Sequence, residues 1–194
     1  MRVLVVYAHP SEASFTSRLY KTVCETLQVG GHEVDALDLY AERFDPAMSR
    51  HMYEHYLDTD LNRIEVAGYV ERLLAAEALV FIFPVWHDGL PAMMKGFIDR
   101  VFLPGVIFKV DAHHNFSPQL HNVRLLAAVC TYGAHRSRST IVGDLTRRFF
   151  YRNLRTLVRP DAMIAYLAEY GLDFATPEQK VRFAARVKRA VRRW

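Results

Sequence analysis

Four stretches of this chain are apolar at almost every position, and they leave few folds open to it. Residues 3–8 (VLVVYA), 78–84 (ALVFIFP) and 123–131 (VRLLAAVCT) are the strongest, and residues 162–168 (AMIAYLA) are a weaker fourth. A strand without polar alternation is buried on both faces. A parallel sheet covered by helices on both sides provides that environment. Residues 32–39 (HEVDALDL) alternate instead and read as an edge strand.

Helical patterns fall between these runs. Phe15, Leu19, Val23 and Leu27 recur at four-residue spacing until Gly30-Gly31. Residues 66–76 give a second helix. A third begins at Pro91 and carries Met94, Phe97, Ile98, Val101 and Phe102 on one side. Residues 145–157 read as a fourth helix. A fifth opens with Thr176-Pro177-Glu178-Gln179, a capping box with proline at its first position. The strict alternation of strand and helix predicts a single α/β domain over residues 1–194, a doubly wound parallel sheet with helices on both faces and right-handed crossovers. Residues 40–62 are the exception: too long for an ordinary connection, and rich in His, Tyr and Asp.

Composition removes several alternatives. The chain has 194 residues, 51% of them hydrophobic, which is incompatible with intrinsic disorder and sufficient for a core. Two cysteines, Cys24 and Cys130, cannot build a disulfide framework. The longest uncharged apolar run, residues 78–86, is far below the roughly 18 residues of a membrane helix. The apolar start breaks at His9-Pro10 without a cleavage signal, so a cytoplasmic protein with reduced thiols and no membrane insertion is expected. Net charge is +4, and seven basic residues without an acid lie between Lys180 and Arg193. They read as a solvated helix face or a subunit contact; no nucleic-acid partner is expected, because such sites show a wider basic patch with aromatics.

Ligands of open α/β sheets bind beyond the carboxyl ends of the strands, where strand order reverses. Three loops of this chain qualify. The first, HPSEASFT, lacks the glycine fingerprint of a dinucleotide fold and the P-loop pattern. It does place Ser11, Ser14 and Thr16 at a helix start, where free amides and the helix dipole favour a phosphate; the same residues also suit an ordinary N-cap. The second, FPVWHDGLP, carries Trp86, which can stack on a planar ring or pack on a neighbouring helix. The third, CTYGAHRSRS, offers Thr131, Gly133 and the cationic pair Arg136 and Arg138. A phosphate at one end and a flat ring at the other describe a flavin nucleotide. His51, Glu54 and His55 form an inverted-zincin-like HxxEH without a third ligand, and His113, His114 and His121 lie in a polar loop, so no metal site is expected.

The stretches YAHPSEASF, DLYAERFDPAMSR and FPVWHDGLPAMMKGFIDRVFLPGVIF resemble the flavodoxin-like NAD(P)H:quinone oxidoreductase family over most of residues 1–133. The resemblance implies a flavodoxin-like five-stranded sheet of order 2-1-3-4-5, FAD or FMN as cofactor with a lean toward FAD, NAD(P)H as co-substrate, a quinone-like acceptor and a homodimer. It implies that His9, Ser14, Phe15 and Thr16 hold the phosphate or pyrophosphate. Pro84, Val85, Trp86 and His87 would line one side of the ring system, with Thr131, Tyr132 and Gly133 on the other. No side chain is expected to be an essential acid or base.

Two departures stand out. His87 and Asp88 follow Trp86, where relatives often have a second aromatic. The tyrosine and histidine that quinone-reducing relatives carry beyond the fourth strand are missing: Val142 stands in the histidine's place, and Tyr132 and His135 are the nearest residues of those types. The alternative role is a flavodoxin-like regulatory subunit of a membrane ion-efflux system or another partner. An acidic electron carrier is disfavoured by the positive charge. The apolar residues Phe44, Met48, Met52, Tyr53 and Tyr56 of the 40–62 segment are expected to form a dimer interface, or else to fold back on their own domain.

Overall fold

The computed structural model describes residues 1–111, 113 and 115–194. Its sheet has five parallel strands: β1 (Arg2–Tyr7), β2 (Glu33–Asp38), β3 (Ala78–Val85), β6 (Leu125–Tyr132) and β7 (Met163–Glu169). Their spatial order is β2-β1-β3-β6-β7. The short strands β4 (Phe108–Val110) and β5 (Phe116–Pro118) form a separate antiparallel hairpin. In chain order of the main sheet this is 2-1-3-4-5, so the direction of winding reverses between β1 and β3 and opens a crevice there.

Period-two alternation splits the core in two. Val3, Val5 and Tyr7 face α1 (Phe15–Val29) and α7 (Pro177–Val191), whose Leu19, Val23, Leu27, Phe183 and Val187 cover that side. Leu4, Val6 and Ala8 face the opposite layer with α3 (Ala67–Ala75) and α4 (Ala92–Val101). Ser14 caps α1, its hydroxyl accepting from the Ser17 amide at 3.0 Å, and Gly31 leaves the helix at φ 78°. Thr176 and Gln179 form the reciprocal capping box of α7.

Several expectations need correction. Strand β3 does not stop at Pro84 but runs to Val85; β1 pairs only as far as Ile82, so the proline's missing N–H interrupts no ladder on that side. Residues 145–157 are not one helix. A single turn, α6 (Leu145–Arg148), passes into a wide π turn over Phe149–Asn153 and a 3-10 turn over Leu154–Leu157. The adjacent rings Phe149 and Phe150 sit edge to face there, with Phe150 fully buried against Phe81 and Phe83. The helices α2 (Arg50–Glu54) and α5 (Arg136–Ile141) and the β4–β5 hairpin were not foreseen.

The 40–62 segment folds back in part on its own domain. Phe44 and Met52 are buried in the core beside Phe97. The buried Arg100 of α4 fastens them: it donates to the Asp45 carbonyl, to Glu65 Oε2 at 2.9 Å and to Met52 Sδ at 3.3 Å, and lies over the Phe44 ring. Gly96 permits this approach, because a Cβ there would collide with Pro46. Met48 and Tyr53 remain exposed, Tyr53 by 75%.

Candidate functional site

The crevice at the carboxyl edge of β1, β3 and β6 is a cleft of about 720 Å³. All of the residues that the family resemblance implies at the cofactor site line it: His9, Ser14, Phe15 and Thr16 from the β1 loop, Pro84, Val85, Trp86 and His87 from the β3 turn, and Thr131, Tyr132 and Gly133 from the end of β6. Ser11 and Arg136, which the same loops offered, do not. Asp88, Ala134, Arg138, Leu172 and Asp173 complete the walls. Leu172 and Asp173 come from the connection after β7. The rule that ligands sit beyond strand ends applies to that loop too, and its Gly171, at φ 71°, was the available signal.

At one end lies the first turn of α1. The amides of Phe15 and Thr16 are first-turn donors that no residue of their own helix can satisfy. Thr16 and Thr131 join their hydroxyls at 3.0 Å and so tie the helix start to the end of β6. His9 accepts the Ser11 amide at Nδ1 over 3.0 Å, which requires its proton on Nε2. Burial lowers its pKa, outweighing the opposing effect of that backbone contact, so the ring is held neutral.

At the other end stands Trp86, 42% exposed, with its ring edge toward His9 at 6.3 Å between centroids. Its turn is tight: Trp86 and Gly89 exchange backbone hydrogen bonds of 3.1 and 3.0 Å. The two residues between them, His87 and Asp88, have φ of 48° and 60°. A two-residue turn of this hand favours glycine and asparagine, so His87 and Asp88 are strained. Two contacts hold them: Arg138 Nη2 donates to Asp88 Oδ2 at 3.3 Å, and Thr146 Oγ1 donates to the Asp88 carbonyl at 3.3 Å. Across the cleft, a side chain at Gly133 would strike the Asp173 carboxylate, so glycine keeps that wall recessed.

Tyr132 and His135 do not replace the missing family pair. The Tyr132 ring is buried and stacked on Tyr170 at 4.4 Å. Its hydroxyl and that of Tyr170 each donate to Asp144 at 2.7 Å, and Tyr132 also contacts the Tyr166 hydroxyl. Burial pushes all three phenols above their ordinary value. This network braces β6, β7 and the Asp144 loop and leaves no phenol aimed at the cleft. His135 stacks on Phe174 at 5.3 Å, away from the cleft lining. His51 contacts Glu65 at 3.4 Å, and among the described residues no three metal-binding side chains converge; His114 lies outside them. Among the described residues no helix is long and apolar enough to cross a membrane.

Comparison with known proteins agrees with this architecture. The family model described as the flavodoxin-like fold matches residues 1–159. NAD(P)H dehydrogenase (quinone) 1 of Cavia porcellus is 29% identical over 162 residues, covering 74% of this chain and 58% of that protein. The chain spans about half the length of the curated relatives first matched. Among solved structures, an NAD(P)H:quinone oxidoreductase from Methanothermobacter marburgensis superposes with a TM-score of 0.83 at 23% identity, covering 99% of this chain and 98% of that one. An FMN-dependent NADH-azoreductase from Bacillus anthracis, solved with FMN, superposes at 0.78 with 16% identity over 99% of this chain and 98% of that one.

Proposed function

Since this chain belongs to the family with the flavodoxin-like fold, we propose that its cleft binds a flavin nucleotide and that the protein is an NAD(P)H-dependent oxidoreductase acting on quinones or similar flat electrophiles. The observation that carries this reading is one cleft with a first-turn amide cradle at one end and a half-exposed indole at the other. The residues fit the group. Phe15 and Thr16 amides with the Ser14 and Thr16 hydroxyls suit a phosphate. Neutral His9 adds an N–H donor without a charge. The recess at Gly133 and the exposed Trp86 ring suit a planar heterocycle.

A bound flavin would supply two-electron redox chemistry between NAD(P)H and the acceptor. The chain's own part would be to orient: Trp86 would cover a face of the ring, Pro84 and Val85 would exclude water at the end of β3, and the tight turn would position the indole. Nothing in the lining demands a side-chain acid or base. Both substrates would use the one cleft in turn, which gives ping-pong kinetics.

The choice between flavins turns on a second groove. Past Phe15 the surface continues into a hollow of about 440 Å³ between the starts of α1 and α7, lined by Arg18, Thr22, Pro177, Lys180 and Val181. Two cations over an apolar floor favour an adenosine with its extra phosphate, hence FAD. The Bacillus anthracis neighbour is the counter-example, with FMN. The test is to titrate the protein with both flavins and follow flavin fluorescence. Quenching by FAD at lower concentration than FMN supports the full reading; quenching by neither up to about a hundredfold excess over protein overturns it. Flavin at 100 times its Kd should raise stability by about 2.7 kcal/mol.

The same reading includes a homodimer. Met48, Tyr53 and Tyr56 border an apolar groove of about 520 Å³ with Ile98, Phe102, Phe149 and Leu157. A self-complementary pairing of two such faces would bury the exposed aromatics.

A further inference from the structure

Resting on the proposed oxidoreductase function, we propose that Arg138 makes this cleft selective for flat acceptors that carry an anionic substituent, a carboxylate or a sulfonate. Arg138 lines the cleft from α5, and its side chain is 66% exposed. One contact, the 3.3 Å bond from Nη2 to Asp88, fixes its position. That bond leaves its other N–H donors unused among the described residues and directed at solvent or cleft. A guanidinium with spare donors in a fixed place is a ready fork for a planar anion.

The anchoring by Asp88 also sets the reach. Asp88 is two residues from Trp86 within a turn closed by paired backbone bonds. The bond therefore places the cation on the same turn as the indole. A ring bound in the cleft beside Trp86 would present an edge to the turn, and a charged substituent on that edge would meet Arg138. The lining also carries Asp173, set against Gly133. A carboxylate there would repel an anion, which leaves Arg138 as the end of the lining that favours one. Of the nearby side chains that could compete for the anion, His9 is held neutral, and Arg136, whose guanidinium lies over the Tyr170 ring, is outside the cleft lining.

The test is equilibrium calorimetry on the oxidised, flavin-loaded protein with no nicotinamide present, comparing menadione with a naphthoquinone sulfonate. Wild type is expected to prefer the sulfonate, and Arg138→Gln to cut the ratio of the two affinities about tenfold. Arg138→Lys should keep part of the preference. Asp88→Asn, which removes the ion pair that holds Arg138 beside the turn, should reduce it. Raising the salt concentration should reduce it, because the guanidinium is solvent-accessible. Equal binding of both probes to wild type, or an unchanged ratio in Arg138→Gln, overturns the proposal. A protein that retains no flavin refutes the proposed activity separately. The Arg138 comparison then remains readable in the unloaded chain as quenching of Trp86 fluorescence by the two probes, with Trp86→Phe as the control.

Discussion

The segment after β2 and the turn after β3 both leave the carboxyl edge of the sheet, and both carry aromatic side chains that the chain treats in opposite ways. After β2, Phe44 and Met52 are drawn into the core and clamped by a buried arginine. After β3, Trp86 is left half-exposed on a turn whose two central residues sit in the left-handed region. The first arrangement stabilises the fold: apolar area leaves water, and a charge is fully partnered. The second works against stability, since strain and exposed indole area both cost free energy. Such a feature persists where a ligand has area to cover. The contrast separates the part of the carboxyl edge that builds the domain from the part that receives a partner.

The comparison can be broken first at the clamp. Arg100→Met should cost about 3 kcal/mol of stability, because Glu65 and the Asp45 carbonyl lose their shared donor. Flavin affinity of the surviving native fraction should stay near wild type. Urea denaturation with a parallel flavin titration measures both; a large loss of flavin affinity at unchanged stability would erase the distinction between the regions. Trp86→Ala is the mirror experiment. It should weaken flavin or acceptor binding about tenfold, near 1.4 kcal/mol, and shift the melting midpoint little. A loss of about 3–5 kcal/mol of stability with normal binding would instead make Trp86 a core residue.

Smaller effects sharpen the picture. Tyr53→Asp, on the exposed part of the β2 segment, should convert a dimer to a monomer near 22.4 kDa in light scattering, without lowering monomer stability. A wild-type mass already near that value removes the dimer. Val181→Asp should weaken FAD several-fold and leave FMN unchanged, by fluorescence titration, if the second groove holds adenosine. The smallest effect is a pH dependence. The His9 pKa is lowered in the folded state from 6.5, so below that value the unfolded chain binds more protons than the native one. Stability should therefore fall as pH drops from about 6.5 toward the lowered value. Denaturation midpoints in His9→Gln should lack that component.

How far the sequence was readable varies along the chain. The continuous apolar runs placed β1, β3 and β6 within two residues at each end, because a strand buried on both faces tolerates no polar position; the edge strands were placed as closely, β2 from its alternation and β7 from an apolar run that the sheet leaves half-exposed. The capping box at Thr176 and the glycine pair after Val29 gave helix ends from local chemistry alone. The three loops at the ends of β1, β3 and β6 were accessible because strand ends converge by topology, and the family resemblance named the individual residues within them. Leu172 and Asp173 carried only the weaker signal of a strand end followed by Gly171, since their nearness to Gly133 depends on how the chain returns after β7. The role once open to Tyr132 closed for a similar reason. A phenol next to the cleft in sequence points to Asp144 and Tyr166 instead, and only the packing of β6 against β7 shows it.

By itself, then, the sequence determined the layer order, the sheet direction and the three loops that meet at the switch point, since periodicity and turn chemistry act over a few residues. Tertiary structure decided the rest: that Phe44 and Met52 turn inward around Arg100, that the 145–157 helix breaks at Phe149 and Phe150, and that Arg138 leans on Asp88 beside Trp86. These are contacts between residues some 35 to 70 positions apart or constraints set by neighbouring rings. No local pattern encodes them, because their free energy depends on which surfaces the folded sheet has already brought within reach.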